Sequence, residues 1–220
     1  MTDALDARVL VIDDHPLFRK GVADLLDMEP ALWLVGEAAD GARGLELART
    51  LAPDLILLDL NMKGLDGIET LRRLRADEAL DARIVMLTVS DLEADVVAAL
   101  RTGADGYLLK DTEPEDMLAL LRDAMHGRLV ISPQLTELIA RALREAPAEP
   151  LHPDEAGLTP REREILSLIA RGYSNKLIAR DLYVAVGTVK VHVKHLLKKL
   201  GLRTRVEAAV WVVNAGDGAR

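Results

Sequence analysis

The stretch Val9-Leu-Val-Ile-Asp-Asp-His-Pro16 decides the fold of the N-terminal part of this chain. A short apolar run bounded by polar residues is typical of a strand that is buried on both faces of a sheet. Asp13 and Asp14 follow the run directly. Ligands of parallel sheets bind at the carboxyl ends of the strands, so these two carboxylates mark the edge at which we expect a functional site.

Four more apolar runs follow, and segments with helical periodicity separate them. The predicted strands are Val9–Ile12, Trp33–Val35, Leu55–Leu58, Ile84–Leu87 and Tyr107–Leu109. The predicted helices lie near residues 17–26, 42–51, 68–74, 94–100 and 117–125. Five such repeats predict an α/β domain in which a five-stranded parallel sheet carries helices on both faces.

Charge divides the chain near residue 157. Up to that residue, 16 Lys and Arg stand against 31 Asp and Glu, a net charge of −15, whereas the remaining residues hold 12 and 5, a net charge of +7. A basic segment of domain size on an acidic body favours a polyanion as the partner of the C-terminal part. Taken alone, the charge is also compatible with a solvated basic face.

A segment broken by prolines coincides with this change of charge. Residues 144–157 hold three prolines and a glycine among polar residues, which indicates an exposed linker. A short helix is predicted just before it from the helical spacing of Leu135, Leu138, Ile139, Ala142 and Leu143. The predicted organisation is an N-terminal domain over residues 7–128, a linker with a short helix over 129–157 and a C-terminal helical domain over 158–216.

The composition excludes several classes of protein. No cysteine is present, so disulfides, thiolate nucleophiles and iron–sulfur clusters are excluded. The longest unbroken apolar stretch, Ala208–Val213, is too short to span a bilayer, and Asp3 and Asp6 stand where a signal peptide would need positive charge. We therefore expect a cytoplasmic protein without a membrane partner.

Polar side chains follow four of the predicted strands at one edge of the sheet. They are Asp13 and Asp14 after the first strand, Asp59 after the third, Thr88 after the fourth and Lys110 after the fifth. Each alone is more often a solvated loop residue or a helix cap, so only their joint occurrence favours chemistry. Three carboxylates repel one another, and a hard cation such as Mg²⁺ would relieve the repulsion while leaving room for phosphate oxygens.

At this point the sequence resembles a known family. Val9-Leu-Val-Ile-Asp-Asp-His-Pro16, Asp54-Leu-Ile-Leu-Leu-Asp-Leu-Asn-Met62 and Gly103-Ala-Asp-Gly-Tyr-Leu-Leu-Lys110 resemble, in order, the signature segments of a two-component receiver domain, which has a flavodoxin-like fold. The resemblance implies that Asp59 accepts a phosphoryl group from the histidine of a sensor kinase. It also implies a Mg²⁺ site formed by Asp13, Asp14, Asp59 and the backbone carbonyl of Asn61. Further roles that it implies are contacts to the phosphoryl oxygens by Thr88 and Lys110, and a rotamer change on activation by Tyr107.

The segment after the linker is helical in pattern. A helix is predicted to start at Thr159, because a proline follows it and Glu162 stands three residues after it. Gly172 is predicted to end that helix. Residues 174–182 and 188–200 predict two more helices, of which the second carries Lys190, Lys194 and Lys198 on one face. Such a pair predicts a helix-turn-helix whose second helix enters the major groove of DNA. A solvated lysine face on a small bundle is the alternative interpretation of this pattern alone.

Leu158–Val213 resembles the four-helix DNA-binding module of the LuxR type, most clearly in Thr188-Val-Lys-Val-His-Val-Lys-His195 and Val206-Glu-Ala-Ala-Val-Trp211. The resemblance to a response regulator of the NarL/FixJ family thus covers almost the whole chain and is weakest in the linker. The resemblance implies base contacts by Lys190, Val191 and Lys194. It implies positions near phosphates for Asn175, Lys176, Thr188 and Lys198.

The last helix suits a small dimer seam. Its apolar residues recur at i, i+3, i+4 and i+7, namely Val206, Ala209, Val210 and Val213. The expected partners are a sensor histidine kinase, a second copy of the chain and a double-stranded DNA operator with inverted repeats, with RNA polymerase as a further candidate. The expected function is a transcriptional regulator, not an enzyme, in which phosphorylation of Asp59 relieves inhibition of the helix-turn-helix by the receiver.

Two residues depart from the family pattern. Lys63 stands where a proline usually precedes the glycine of the loop after the phosphoacceptor, and it adds positive charge near Asp59. Ala185 stands where a serine or threonine usually caps the DNA-reading helix, so a cap hydroxyl is missing.

Two other classes of protein fit the sequence less well. A phosphatase of the haloacid dehalogenase type would have its nucleophile after the first strand and a second acid two residues later, whereas Asn61 stands two residues after Asp59. A dinucleotide-dependent enzyme would need a glycine-rich turn after the first strand, and Asp13-Asp-His-Pro16 contains no glycine. Neither class accounts for the basic helix.

Overall fold

The computed structural model describes residues 6–77, 79–89, 93–125, 128, 130–135, 156–202, 204–205, 207–209 and 211–212. They belong to two units, an N-terminal unit built on a sheet and a C-terminal unit of helices. None of the helices within these ranges is long and apolar enough to span a membrane.

The N-terminal unit is built around a parallel sheet with the strand order β2-β1-β3-β4-β5-β6. Its strands are β1 (Ala7–Ile12), β2 (Leu32–Ala38), β3 (Leu55–Asp59), β4 (Arg83–Thr88), β5 (Gly106–Leu109) and β6 (Val130–Ile131). Its helices are α1 (Pro16–Leu26), α2 (Gly41–Leu51), α3 (Gly67–Ala76), α4 (Glu93–Thr102) and α5 (Pro114–Met125). The five predicted strands, the five predicted helices and the α/β class are confirmed.

The sixth strand departs from the expected sheet of five. β6 pairs with β5 through Gly106 and Tyr107, and it lies in the segment where a linker is expected. Two residues are too few to show a strand period, so the sequence alone does not reveal them. Residues 133–135, which follow, are helical. The other residues of the predicted linker helix lie outside the described residues, namely Leu138, Ile139, Ala142 and Leu143.

Burial on both faces explains why the strands read as continuous apolar runs. All residues of β3 and β4 are buried. Val9, Val11, Leu55 and Leu57 pack with residues of α1 and α5 in one apolar cluster. The alternate residues of the strands point to the other face of the sheet. There α2 packs so closely that a Cβ on Gly44 would lie 2.5 Å from the side chain of Ile12. The helices thus cover both faces and leave the carboxyl ends of the strands as the edge for a site.

The C-terminal unit has its own apolar core. Its helices are α6 (Pro160–Ala170), α7 (Asn175–Asp181) and α8 (Val186–Leu200), and residues 205, 207–209 and 211–212 are also helical. The core includes Ile165, Ile169, Ile178, Val189, Leu196 and Leu200. The three helices confirm the prediction, although α8 begins two residues earlier than expected. The reason is that Ala185 has the extended backbone of an N-cap residue, with φ −70° and ψ 147°.

Hydrogen bonds at the helix starts follow the sequence signatures. The hydroxyl of Thr159 accepts the N–H of Glu162, and the Glu162 carboxylate accepts the N–H of Thr159 at 2.8 Å, which forms the predicted capping box. Ser174 caps α7 by accepting the N–H of Leu177 at 3.2 Å. Ala185 makes no side-chain cap at the start of α8, as predicted.

Glu162 couples ionisation to the stability of this unit. Burial raises the pKa of its carboxyl, but the hydrogen bonds from Lys199 and Thr159 outweigh burial and hold the pKa below its usual value of 4.5. Nζ of Lys199 lies 2.7 Å from Oε2 of Glu162. A lowered pKa in the folded state stabilises the fold above the usual pKa, and the stabilisation is lost as the pH falls through the lowered pKa.

We expect Glu162→Gln to lower the free energy of unfolding at neutral pH by about 1 kcal/mol, because Lys199 loses its charged partner. Glutamine can still accept the capping hydrogen bond, so the change isolates the ion pair. The difference from the wild type should be largest above pH 4.5 and shrink below it. Urea denaturation followed by circular dichroism at several pH values measures this. The exposed Glu164→Gln is the matched control, and equal pH dependence in both variants would contradict the assignment.

Candidate functional site

The carboxyl ends of β1, β3 and β5 bring three carboxylates and one ammonium group together. Asp13 and Asp59 are buried, with 0% and 1% of their surface exposed, and Asp14 is half-buried. Nζ of Lys110 lies 2.7 Å from Oδ2 of Asp13 and 3.0 Å from Oδ2 of Asp59. We call Asp13, Asp14, Asp59 and Lys110 the acidic pocket.

The acidic pocket has more negative than positive charge. Burial and, after it, the charge of Asp13 raise the pKa of Asp59, while Lys110 and the N–H of Asn61 oppose the rise. One ligand atom from each of Asp13, Asp14, His15 and Asp59 lies within 4.8 Å of the others. Mg²⁺ prefers carboxylate oxygens, and its charge would balance the repulsion between these three carboxylates. The residues present therefore fit this ion.

Backbone hydrogen bonds hold the loops around the acidic pocket. Oδ1 of Asp59 accepts the N–H of Asn61 at 3.2 Å, and Oδ2 of Asp14 accepts the N–H of Lys63 at 3.2 Å. A proline at position 63 would have no N–H, so Lys63 adds a hydrogen bond between the loop after β3 and Asp14 that a proline could not form. A Cβ on Gly67 would lie 2.3 Å from the carbonyl oxygen of Asp59. The start of α3 thus approaches the end of β3 so closely that only glycine fits.

β4 and β5 position Thr88 and Tyr107 differently. Thr88 is the buried last residue of β4, where it pairs with Leu109, and its carbonyl accepts the N–H of Lys110 at 2.7 Å. The side chain of Tyr107 is fully buried, burial raises the pKa of its phenol, and no described residue forms a hydrogen bond with its hydroxyl. Thr88 therefore ends β4 beside Lys110 of the acidic pocket, whereas Tyr107 lies in the interior.

Sequence reasoning missed three residues that support the acidic pocket. Nδ1 of His15 lies 3.0 Å from Oδ1 of Asp14, and the ring of Phe18 lies 4.8 Å from Nζ of Lys110. Oγ of Ser132 accepts the N–H of Leu109, the residue before Lys110, at 3.0 Å. The position of His15 next to two aspartates was a usable signal. Ser132 gave none, because it follows a strand that the sequence does not reveal.

The C-terminal unit presents a basic helix face. Val191 is 53% exposed, Lys194 and Lys198 are exposed, and Lys190 is half-buried. We call these four residues the basic face of α8. Thr188 at the start of α8 and Lys176 on α7 are also exposed, whereas the half-buried Asn175 accepts a hydrogen bond from Nη1 of Arg205 at 3.0 Å. The opposite side of α8 is fixed in the core by Val189, Leu196 and Leu200.

One residue of the predicted dimer seam is described. Ala209 is half-buried and packs against the core of its own unit. The other three residues lie outside the described residues, namely Val206, Val210 and Val213. The seam stays a prediction.

The fold, the acidic pocket and the helical unit define a class of protein. A family model described as "Response regulator receiver domain" matches residues 9–122, and one described as "Bacterial regulatory proteins, luxR family" matches residues 156–212. The chain belongs to the two-component response regulators that combine a receiver with a LuxR-type DNA-binding domain. Members of this family are phosphorylation-activated transcriptional regulators, and the resemblance seen in the sequence is confirmed.

Relatives match nearly the full chain. The nitrate/nitrite response regulator NarL of Escherichia coli K12 is 55% identical, over 96% of this chain and 97% of that protein. The nitrate/nitrite response regulator NarP of the same organism is 44% identical, over 96% of each chain. Among solved structures, the response regulator ChrA of a heme-sensing two-component system is 32% identical with a TM-score of 0.52, over 94% of this chain and 96% of that chain.

Proposed function

We propose that Asp59 is the phosphoacceptor of this response regulator and that its phosphorylation controls binding of α8 to an operator. The observation that carries the proposal is the ammonium group of Lys110, which lies 3.0 Å from Oδ2 of Asp59 at the edge of the sheet. The proposed phosphodonor is the histidine of a sensor kinase. Asp59 is itself modified each time a phosphoryl group is transferred, so the chain acts as a regulator and not as an enzyme.

The residues of the acidic pocket have distinct roles in this transfer. A carboxylate oxygen of Asp59 attacks phosphorus, and an oxygen–phosphorus bond forms while the bond from phosphorus to the histidine nitrogen breaks. Lys110 neutralises charge on the transferred oxygens, and the hydroxyl of Thr88 donates a hydrogen bond to them. Asp13, Asp14, Asp59 and the carbonyl of Asn61 would hold Mg²⁺. When bound, this ion supplies further positive charge beside the phosphoryl group.

With Mg²⁺ and a small phosphodonor, we expect the wild type to gain one acid-labile, hydroxylamine-sensitive phosphoryl group. Asp59→Asn should gain none, because an amide oxygen does not form this bond. Intact-protein mass spectrometry before and after hydroxylamine measures the modification. The exposed Asp24→Asn on α1 is the matched control and should be labelled like the wild type. Labelling of Asp59→Asn to the same extent would refute the assignment.

The basic face of α8 is the proposed DNA-reading surface. Its exposed Lys194 and Val191 and its half-buried Lys190 support base contacts, and Lys198, Thr188, Asn175 and Lys176 support contacts near phosphates. The operator is double-stranded DNA with inverted repeats, bound by a homodimer through the seam on the last helix. A chromosomal DNA partner implies a cytoplasmic location.

Lys190→Ala and Lys194→Ala should each weaken binding to a selected operator by roughly 1 to 3 kcal/mol and relax its sequence preference. Lys198→Ala should weaken all sequences alike and lower the salt dependence by about one phosphate contact. Selection from a random pool with the phosphorylated chain supplies the operator, and fluorescence anisotropy at several salt concentrations measures affinity. The control is Lys20→Ala on α1. Equal losses on operator and random DNA for all three lysines would remove the claim of base reading.

Charge supports control of DNA binding by the N-terminal part. A body of net charge −15 tethered to a segment of +7 competes with DNA for basic side chains. Phosphorylation adds negative charge and would by itself strengthen this attraction. Release must therefore come from repacking near Thr88 and Tyr107, not from charge.

A fragment that begins near Leu151 should bind the selected operator more tightly than the full unphosphorylated chain, and phosphorylation should close most of the gap. Titrations at several salt concentrations separate two causes. Long-range repulsion of DNA by the acidic body fades with screening, whereas a docked interface persists. Equal affinity of the fragment and the unphosphorylated chain at every salt concentration would exclude inhibition by the receiver and leave dimerisation as the means of activation.

A further inference from the structure

Tyr183 lies in the turn between α7 and α8. Its side chain is 95% exposed, more than any other large apolar side chain among the described residues. Its φ of +54° places its backbone in the left-handed region. The residue is therefore unusual in two independent ways, in its exposure and in its conformation.

The left-handed conformation is unfavourable for this residue. A Cβ crowds the backbone there, so glycine and asparagine are preferred at such positions. Within the described ranges, Ala52 is the other non-glycine residue with positive φ, and it has a small side chain at the end of α2. The exposed ring of Tyr183 gains little from packing that would offset the strain. Hydrogen bonds of the turn, and not packing of the ring, hold this conformation, and residues held in such conformations cluster at functional sites.

Hydrogen bonds hold the turn in this conformation. Nη2 of Arg161 donates to the carbonyl of Leu182 at 2.9 Å, and the N–H of Val184 donates to the carbonyl of Ala179 at 2.9 Å. These bonds fix the backbone on both sides of Tyr183. The ring consequently projects from a hydrogen-bonded turn just before α8 begins at Val186.

We propose that Tyr183 contacts the sugar–phosphate backbone of DNA, with its hydroxyl donating to a phosphate oxygen and its ring against a deoxyribose. A helix-turn-helix reads bases with the N-terminal part of its second helix, so the turn before α8 lies at the rim of the groove, beside the phosphates. Tyrosine is among the side chains that bind phosphate oxygens. This inference rests on the DNA binding proposed above and extends the contact surface from the basic face into the turn.

The contact predicts a specific pattern of affinity. With the phosphorylated full chain, Tyr183→Phe should bind about threefold more weakly and Tyr183→Asn about tenfold more weakly. The factor should be the same for the selected operator duplex and for a duplex of scrambled sequence, because a backbone contact carries no base information. The salt dependence should not change, since the hydroxyl is neutral and displaces no counterion. This separates Tyr183 from Lys198, whose removal lowers the salt dependence.

A stability measurement excludes misfolding as the cause. Asparagine accepts the left-handed conformation more readily than tyrosine, so in Tyr183→Asn hydrogen exchange of the amides in α7 and α8 should slow by about fivefold. A variant that is more stable and yet binds more weakly has lost a contact and not its fold. The matched control is Tyr173→Phe. In the wild type the hydroxyl of Tyr173 accepts a hydrogen bond from Nη2 of Arg171 at 2.8 Å. Loss of this hydroxyl should change DNA affinity by less than about twofold.

Four outcomes overturn the inference. Unchanged affinity of both Tyr183 variants, with Lys194→Ala still weakened, removes the contact and leaves the proposed function standing. A loss confined to the selected operator assigns Tyr183 to a base and not to the backbone. Tighter DNA binding by unphosphorylated Tyr183→Asn assigns the ring to the receiver in place of DNA. Failure of the wild type to bind either duplex overturns the proposed function itself, and this contact with it.

Discussion

The ammonium group of Lys110 between Asp13 and Asp59 is the interaction on which the N-terminal unit depends. Two buried carboxylates from neighbouring strands would repel each other strongly without a cation between them. Nζ of Lys110 lies within 3.0 Å of both, and the N–H of Lys110 also bonds to the end of β4. One residue therefore joins β1, β3, β4 and β5 at the edge where phosphorylation is proposed. Its single positive charge neutralises one carboxylate, and the remaining negative charge favours the binding of a divalent ion.

The sequence predicts the acidic pocket well, because the carboxyl ends of parallel strands lie at the same edge of a sheet. Asp13, Asp59 and Lys110 each end or follow an apolar run, and parallel strands bring their ends together whatever the details of packing. Features that depend on backbone conformation are different. The tie from the N–H of Lys63 to Asp14 and the left-handed turn at Tyr183 involve groups or angles that a pattern of side chains does not encode.

In the C-terminal unit, too, local features are predicted from the sequence and contacts between distant residues are not. Its capping box at Thr159 and the missing cap at Ala185 are local features, and both are predicted from residue types alone. The hydrogen bond from Arg205 to Asn175 joins residues that are distant in the chain, and the sequence gives no signal for it. The resemblance implies a position near phosphates for Asn175, and the structure adds that its side-chain oxygen accepts a hydrogen bond from Arg205.

β6 changes where the receiver can be joined to another protein. Ser132 bonds to β5 twice, by donating its N–H to Tyr107 at 2.9 Å and by accepting the N–H of Leu109, and Leu135 is fully buried just beyond it. The chain that leaves the sheet is thus part of the structure that holds Lys110. In a chimera that couples this receiver to a different output domain, a junction placed after α5 would remove the outer neighbour of β5. A junction placed after residue 135 would keep the edge of the sheet intact and transfer the complete signalling module.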